Sequence, residues 1–84
     1  MKTAFLLMAQ YERPVLKLDD ICEEYFGLSP AEARRRANLN TLPVPTMRLA
    51  ESQKAPVMVH IDDLAQFIDK QRQSAKESWE RSQL

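Results

Sequence analysis

The chain has 84 residues, and twelve Lys and Arg residues balance twelve Asp and Glu residues, so its formal net charge is zero. This length allows one small domain, and the neutral charge argues against a protein that is basic over its whole surface. One Cys excludes an intramolecular disulfide, one His excludes a multi-His metal site, and the longest apolar run, residues 4–9, is too short to span a bilayer. We therefore expect a cytoplasmic protein without metal, other cofactor or membrane segment.

Two short apolar runs begin the chain. Residues 3–10 lead into a turn that contains Pro14, and residues 15–18 follow with an alternation typical of a strand. We expect short N-terminal strands on the two sides of this turn, although the first run fits a helical turn equally well.

The first clear helix is predicted to begin at Asp19 and Asp20. Acidic side chains stabilise a helix start, because they accept hydrogen bonds from free backbone N–H groups and suit the positive end of the helix dipole. Asp20 and Glu23 also have the spacing of a capping box. Gly27, the only glycine, is placed to end this helix with a positive φ.

A second helix is predicted to follow almost at once. Ser29 is a favoured N-cap, Pro30 is favoured at the first helical position, and Glu32 completes a capping box. Ala33 and Ala37 are four residues apart and small, so this face can pack closely on the first helix. Two helices joined by so short a turn have the layout of a helix-turn-helix.

The rest of the second helix is polar and basic, with the residues Arg34, Arg35, Arg36 and Asn38. Arg34, Arg35 and Asn38 can share one outer face, whereas Arg36 is expected to reach a phosphate or an acid. Asn40 is a plausible left-handed cap. Arginines at such a face can donate to guanine edges or phosphates, so we predict that all four residues bind DNA.

Residues 46–49 and 56–61 alternate in polarity around a polar tip at residues 51–54, which predicts a β-hairpin. A helix pair followed by a hairpin is the order of elements in a winged helix, whose wing can reach the phosphate backbone. We predict DNA contacts from five residues of this hairpin: Thr46, Arg48, Ser52, Gln53 and Lys54.

A last helix is predicted after Ile61, where Asp63 and Gln66 again have capping-box spacing. Its apolar face thins toward the C-terminus, and a lone Trp on a polar helix often marks a contact surface. We predict a weak homodimer, or pairing that strengthens on DNA, through Phe67, Gln71, Ala75 and Trp79. Packing of Trp79 on its own domain and a contact with RNA polymerase are the alternatives.

Charge is strongly segregated along the neutral chain. Residues 18–33 contain five acids and no Lys or Arg, whereas residues 34–54 contain five bases and one acid. Such asymmetry can build one basic face. The elements together predict an α+β fold: a winged helix-turn-helix domain over residues 1–75, with short N-terminal strands, a helix pair, a β-hairpin wing and a C-terminal helix. Residues 76–84 are expected to form a helical extension that frays.

Several short segments, in order and spacing, resemble the pyocin activator family, small bacterial and prophage transcriptional activators of phage-tail-like bacteriocin genes. The opening MKTAFLLMAQY and the segment CEEYF at residues 22–26 carry the resemblance in the first half. The second half matches at SQKA, VH, DLA and QR, at residues 52–55, 59–60, 63–65 and 71–72. The second helix departs from it, since it is more basic and has Asn40 where glycine is expected.

The resemblance, which runs from residue 1 to about residue 75, implies binding to a short promoter element in double-stranded DNA and activation of transcription. The order of elements also looks like excisionase and MerR-type winged helices, an analogy of fold alone. An excisionase-like architectural DNA-binding protein and a small protein-interaction adaptor are therefore the alternatives. We expect no enzyme, because the paired acids Asp19–Asp20 and Asp62–Asp63 are explained by helix starts.

Overall fold

The computed structural model describes residues 2–52 and 54–83. The elements in chain order are α1 (Thr3–Tyr11), β1 (Val15–Lys17), α2 (Leu18–Ile21), a π-helical turn (Cys22–Phe26), α3 (Pro30–Asn38), β2 (Met58–His60) and α4 (Ile61–Ser82). The two strands form one antiparallel sheet, so the protein has a small α+β fold.

The sheet joins the two ends of the segment that carries α2 and α3. Leu16 lies opposite Val59 in the antiparallel register. The pairing is extended on both sides, because the Leu18 N–H donates to the Val57 carbonyl at 2.9 Å and the Ile61 N–H donates to the Pro14 carbonyl at 2.8 Å. Residues 18–57 therefore form a long excursion whose two ends are held together by the β1–β2 pairing, which we call the closed base of the sheet.

The first predicted strand is wrong, because residues 3–11 form α1. The segment is rich in Ala, Leu, Met and Gln, which favour helix, and Thr3 is its only β-branched residue. Leu7 is 5% exposed and packs in the core, with Ala4 and Tyr11 packed at its margin three and four residues away. This helical spacing, set by packing against α4, decides between the two local conformations.

Two predicted capping boxes are also absent. α2 begins at Leu18 and α4 at Ile61, directly after the strands, so Asp20 and Asp63 lie inside the first turns and not at N-caps. The N-cap of α4 is His60, whose Nδ1 accepts from the Asp62 N–H at 3.0 Å. Because each strand runs directly into the next helix, the strand pairing and not side-chain capping determines the residue at which the helix starts.

The predicted hairpin is reduced to a single antiparallel bridge. Met47 and Met58 exchange both backbone hydrogen bonds, at 3.0 and 2.8 Å. The next hydrogen-bonding positions on either side fall at Pro45 and Pro56, which have no N–H to donate, so the ladder cannot lengthen. β2 pairs with β1 instead, and Met58 is buried together with its neighbours Val57 and Val59.

The core is one cluster to which every element contributes. Its largest fully buried side chains are Leu18, Ile21, Cys22, Val59, Ile61 and Leu64. Burial raises the pKa of the Cys22 thiol, with a smaller contribution from the nearby Glu23 charge, so this sulfur stays a neutral core group. α4 continues as one helix through Ser82, and its second half is exposed.

The two predicted left-handed helix ends are confirmed. Gly27 has a φ of 67° and ends the π-helical turn. Asn40 has a φ of 55°, and its N–H donates to the Ala37 carbonyl at 3.2 Å while the Thr41 N–H donates to the Arg36 carbonyl at 2.9 Å. This pair of bonds is a Schellman motif, so asparagine replaces glycine without loss of the cap.

The hydroxyl groups of Tyr11 and Tyr25 hydrogen-bond at 3.1 Å and tie α1 to the π-helical turn. Burial, followed by this bond, raises the pKa of Tyr25 above its usual value. The neutral phenol thus contributes stability below pH about 10, and this contribution is lost as the pH rises further. Tyr25→Phe is expected to cost about 0.5–1.5 kcal/mol at pH 7 and to flatten the alkaline loss.

Urea unfolding at pH 7 and pH 10.5 measures both effects. The stability of the wild type should fall more between the two pH values than that of Tyr25→Phe. Equal losses in the two proteins would show that the partly buried Tyr25 phenol does not cause the loss of stability at alkaline pH.

Candidate nucleic-acid interface

The candidate interface is built on α3, which is held by its small side chains. Ala33 is fully buried and Ala37 is 8% exposed, and they bring α3 close to α2. The Ser29 hydroxyl caps the helix by accepting from the Glu32 N–H at 3.3 Å. With the two alanines inside, the helix directs its polar residues outward, and all four predicted ones are exposed: Arg34, Arg35, Arg36 and Asn38.

The Glu32 carboxylate binds two of these arginines, and in the predicted capping box only the Ser29 half is formed. Arg35 donates to it through Nε at 3.1 Å and Nη2 at 2.7 Å, and Arg36 donates through Nε at 3.0 Å. Hydrogen bonds from Arg35 and then Arg36 lower the pKa of Glu32 to about 2, and the same bonds raise the pKa of Arg35. The pairs therefore stay fully ionised at neutral pH.

Arg34 has a different acidic partner on the preceding helix. Its Nη1 donates to Asp19 Oδ2 at 2.9 Å, and both side chains are about half exposed, at 50% and 47%. Arg36, for which the sequence predicts a phosphate or an acid as partner, pairs with the Glu32 carboxylate. All three arginines thus carry a carboxylate that a phosphate or a base edge would have to displace.

Asn38 meets the predicted wing. Arg48 donates through Nη2 to the side-chain amide oxygen Oδ1 of Asn38 at 3.5 Å and through Nη1 to the backbone carbonyl of Ala55 at 3.0 Å. Thr46 lines the same groove, between the end of α3 and the bridged loop. The structure therefore brings three predicted contact residues from two distant segments to one place.

The tip of the loop is a separate local turn. The Ser52 hydroxyl accepts from the Lys54 N–H at 3.1 Å, and the Ser52 carbonyl accepts from the Ala55 N–H at 3.0 Å. Both Ser52 and Lys54 are exposed, whereas Gln53 lies outside the described residues. The hydrogen bond from Arg48 to Ala55 connects this tip to the α3 groove.

The predicted oligomer contact divides into two parts. Phe67 is partly buried and packs edge-on against Phe26, with ring centroids 5.1 Å apart and an interplanar angle of 70°. Gln71 and Ala75 are exposed, and Trp79 is 62% exposed. Phe67 thus already has a partner in its own chain.

Sequence reasoning offered an acid only for Arg36, as the alternative to a phosphate, and missed the acidic partners of Arg34 and Arg35. The i,i+3 and i,i+4 spacing of Glu32 from Arg35 and Arg36 was a usable signal. The pair between Arg34 and Asp19 had none, because it depends on how α3 packs on α2.

Over residues 2–52 and 54–83, no helix is long and apolar enough to cross a membrane. The same residues contain no group of three or more His, Cys, Asp or Glu side chains placed to hold a metal ion.

Comparison with protein families places the chain in the class of activator proteins. It belongs to the family described as pyocin activator protein PrtN, whose model matches residues 3–75. No curated protein and no solved structure matches the chain. The similarity seen in the sequence is thereby confirmed over nearly the whole chain.

Proposed function

We propose that the protein is a sequence-specific DNA-binding activator of transcription for pyocin-type genes. Family membership supports the regulatory part of this proposal. The observation that carries the DNA-binding part is α3, a capped helix with alanines inside and three consecutive exposed arginines outside. In the proposal, residues 1–75 form a winged helix-turn-helix domain and α3 enters the major groove.

The arginines would bind by exchanging partners. The Arg35 guanidinium already makes a two-pronged contact with the Glu32 carboxylate, and guanine offers a similar pair of acceptors at O6 and N7. Arg34 and Arg36 can exchange Asp19 and Glu32 for phosphate oxygens in the same way. In the free protein, the carboxylates would occupy the positions of the DNA acceptors and preorganise the guanidinium groups for binding.

The loop after α3 serves as the wing in this proposal. Arg48 and Asn38 hold it at the end of α3, and the proposal assigns a contact with the phosphate backbone to the exposed Lys54 at its tip. The exposed acids Asp20, Glu23 and Glu24 lie on the preceding helix and turn. Their repulsion from phosphates favours docking through α3 and the loop, with this acidic edge turned away from DNA.

The proposal includes a contact with RNA polymerase as the route to activation, and it puts the protein with its DNA in the cytoplasm. A footprint of the purified protein on its own genomic DNA tests the function. Protection of short promoter-proximal elements is expected. Protection at an attachment site would assign the excisionase-like role instead, and no protection at any DNA would favour the adaptor.

Replacing Lys54 by Ala is expected to weaken binding several-fold on all DNA sequences alike. A phosphate contact carries no sequence information, and its loss should lower the salt slope by about one unit. Titrations of a promoter fragment and a random fragment at several salt concentrations measure this. Lys17→Ala, an exposed lysine of β1 outside α3 and the loop, is the matched control. Intact binding together with a lower thermal midpoint would instead give Lys54 a structural role.

A further inference from the structure

α1 is apolar on its outer face as well as on its inner one. Opposite the buried Leu7, the side chains of Phe5, Leu6 and Met8 are 64%, 51% and 39% exposed. A helix that is hydrophobic all round is normally covered on both sides, and a contiguous exposed apolar patch marks an interaction surface. The outer face of α1 (Phe5, Leu6 and Met8) is therefore an unfilled contact.

α4 extends far beyond the helix that covers it. α1 and α4 run antiparallel, because the Thr3 hydroxyl donates to Asp69 at one end and the Ile61 N–H donates to the Pro14 carbonyl at the other. The N-terminal end of α1 is thus level with Asp69. Residues 70–82 continue past it for about 20 Å, and the molecule measures 53 × 27 × 16 Å. We call residues 70–82 the α4 overhang.

The overhang continues the buried stripe of α4. Trp79 lies five full turns after Ile61, so both side chains leave the helix on the same side. Ile61 is 1% exposed in the core, whereas Trp79 is 62% exposed. Ala75, one turn before Trp79, belongs to the same stripe and is exposed. Ala75 and Trp79 therefore face the same side of α4 as the core, but they lie beyond the end of α1, where the chain's own domain does not cover them.

We propose that a second copy of the chain fills both surfaces. The overhang of each copy lies along the outer face of α1 in the other, around a two-fold axis perpendicular to α4, and therefore runs parallel to that α1. Trp79 then packs against Phe5 and Leu6 of the partner subunit. At about 20 Å the overhang is longer than the nine-residue α1, which spans about 13 Å, so it covers that face completely.

The available area supports a second copy as the occupant. Large apolar side chains bury roughly 200 Å² each. Phe5, Leu6, Met8 and Trp79, at their observed exposures, offer about 450 Å² per copy and about 900 Å² in a reciprocal pair. With flanking polar residues this reaches the ~1,000 Å² of small specific interfaces and predicts a weak dimer.

The arrangement differs from the contact predicted by the sequence. Phe67 already packs against Phe26, and α1, for which the sequence left a strand and a helical turn equally open, supplies the receiving surface. No residue of α3 takes part, so the proposal stands independently of DNA binding.

Sedimentation of the full chain over a range of micromolar concentrations tests the dimer. Leu6→Ala and Trp79→Ala should each weaken association at least tenfold, while Leu49→Ala, at a leucine that is 69% exposed outside both surfaces, should leave it unchanged. All three side chains are exposed, so thermal midpoints should stay close to the wild type. Trp79 is the only Trp, and its emission should shift to the blue as the dimer forms.

Cross-linking distinguishes the proposed reciprocal contact from other dimers. Under oxidation, a mixture of Leu6→Cys and Trp79→Cys proteins should form a mixed disulfide faster than either protein links to itself. The native Cys22 is buried and does not compete. A monomer at 100 μM, a dimer unaffected by both alanine substitutions, or self-linking that outpaces mixed linking would each overturn the proposal.

Discussion

Leu64→Ala is expected to destabilise the protein by about 2–5 kcal/mol. Leu64 is fully buried at the centre of the single core cluster, so its truncation removes apolar burial and leaves a cavity. A domain of this size has a free energy of unfolding of about 4–12 kcal/mol. The substitution therefore removes a large share of the total and should lower the thermal midpoint by ten degrees or more.

Leu49→Ala is the matched control, since Leu49 is 69% exposed in the loop before the tip. Its free energy of unfolding should change by less than about 0.5 kcal/mol. Chemical unfolding of the wild type and both variants gives the comparison. Similar losses for Leu49→Ala and Leu64→Ala would contradict the assignment of the core.

Arg35→Ala is expected to cost about 1–3 kcal/mol of specific DNA binding if Arg35 contacts a base. The expectation depends on the position of Arg35 in the exposed face of α3, with its guanidinium held in a two-pronged contact by Glu32. If Arg35 contacts a phosphate instead, all sequences should weaken alike and the salt slope should fall by about one unit. Binding isotherms on promoter and random DNA at several salt concentrations separate the two roles.

Two further variants complete this experiment. Glu32→Gln removes the acid that holds Arg35 and Arg36, so it should strengthen binding to random DNA. Arg13→Ala, an exposed arginine that hydrogen-bonds only to the Val15 carbonyl in the described residues, should leave binding unchanged. If neither Arg35→Ala nor replacement of all three arginines alters binding, α3 is not the DNA-reading helix.

The helix pair could be predicted from the sequence because its signals are local. Ser29 and Pro30 mark the start of α3, and Gly27 and Asn40 mark the two helix ends, each through its own backbone preference. None of these effects depends on distant parts of the chain. The exposure of the arginine run could be predicted in the same way, because Ala33 and Ala37 identify the buried face of α3.

The remaining errors concern pairings over long distances in sequence. No local signal near residues 56–61 shows that β2 pairs with β1 and forms only a single bridge with Met47. Pro45 and Pro56, however, already exclude a longer hairpin, because neither has an N–H to donate. α1 is a helix because α4 packs against it, and a short apolar run has no period that shows this. The partner of Arg34 likewise follows from the packing of two helices.

The closed base of the sheet has a consequence for the order of folding. Leu16 and Val59 are about 40 residues apart in sequence, and closing a loop of that length costs about 3 kcal/mol of chain entropy. The contacts between α2 and α3 are short-range and can form before this loop closes. The arginine-bearing helix can therefore arise early, but its orientation to α1 and α4 is fixed only when the strands meet. We therefore expect closure of the strands, and not formation of the helices, to limit the folding rate.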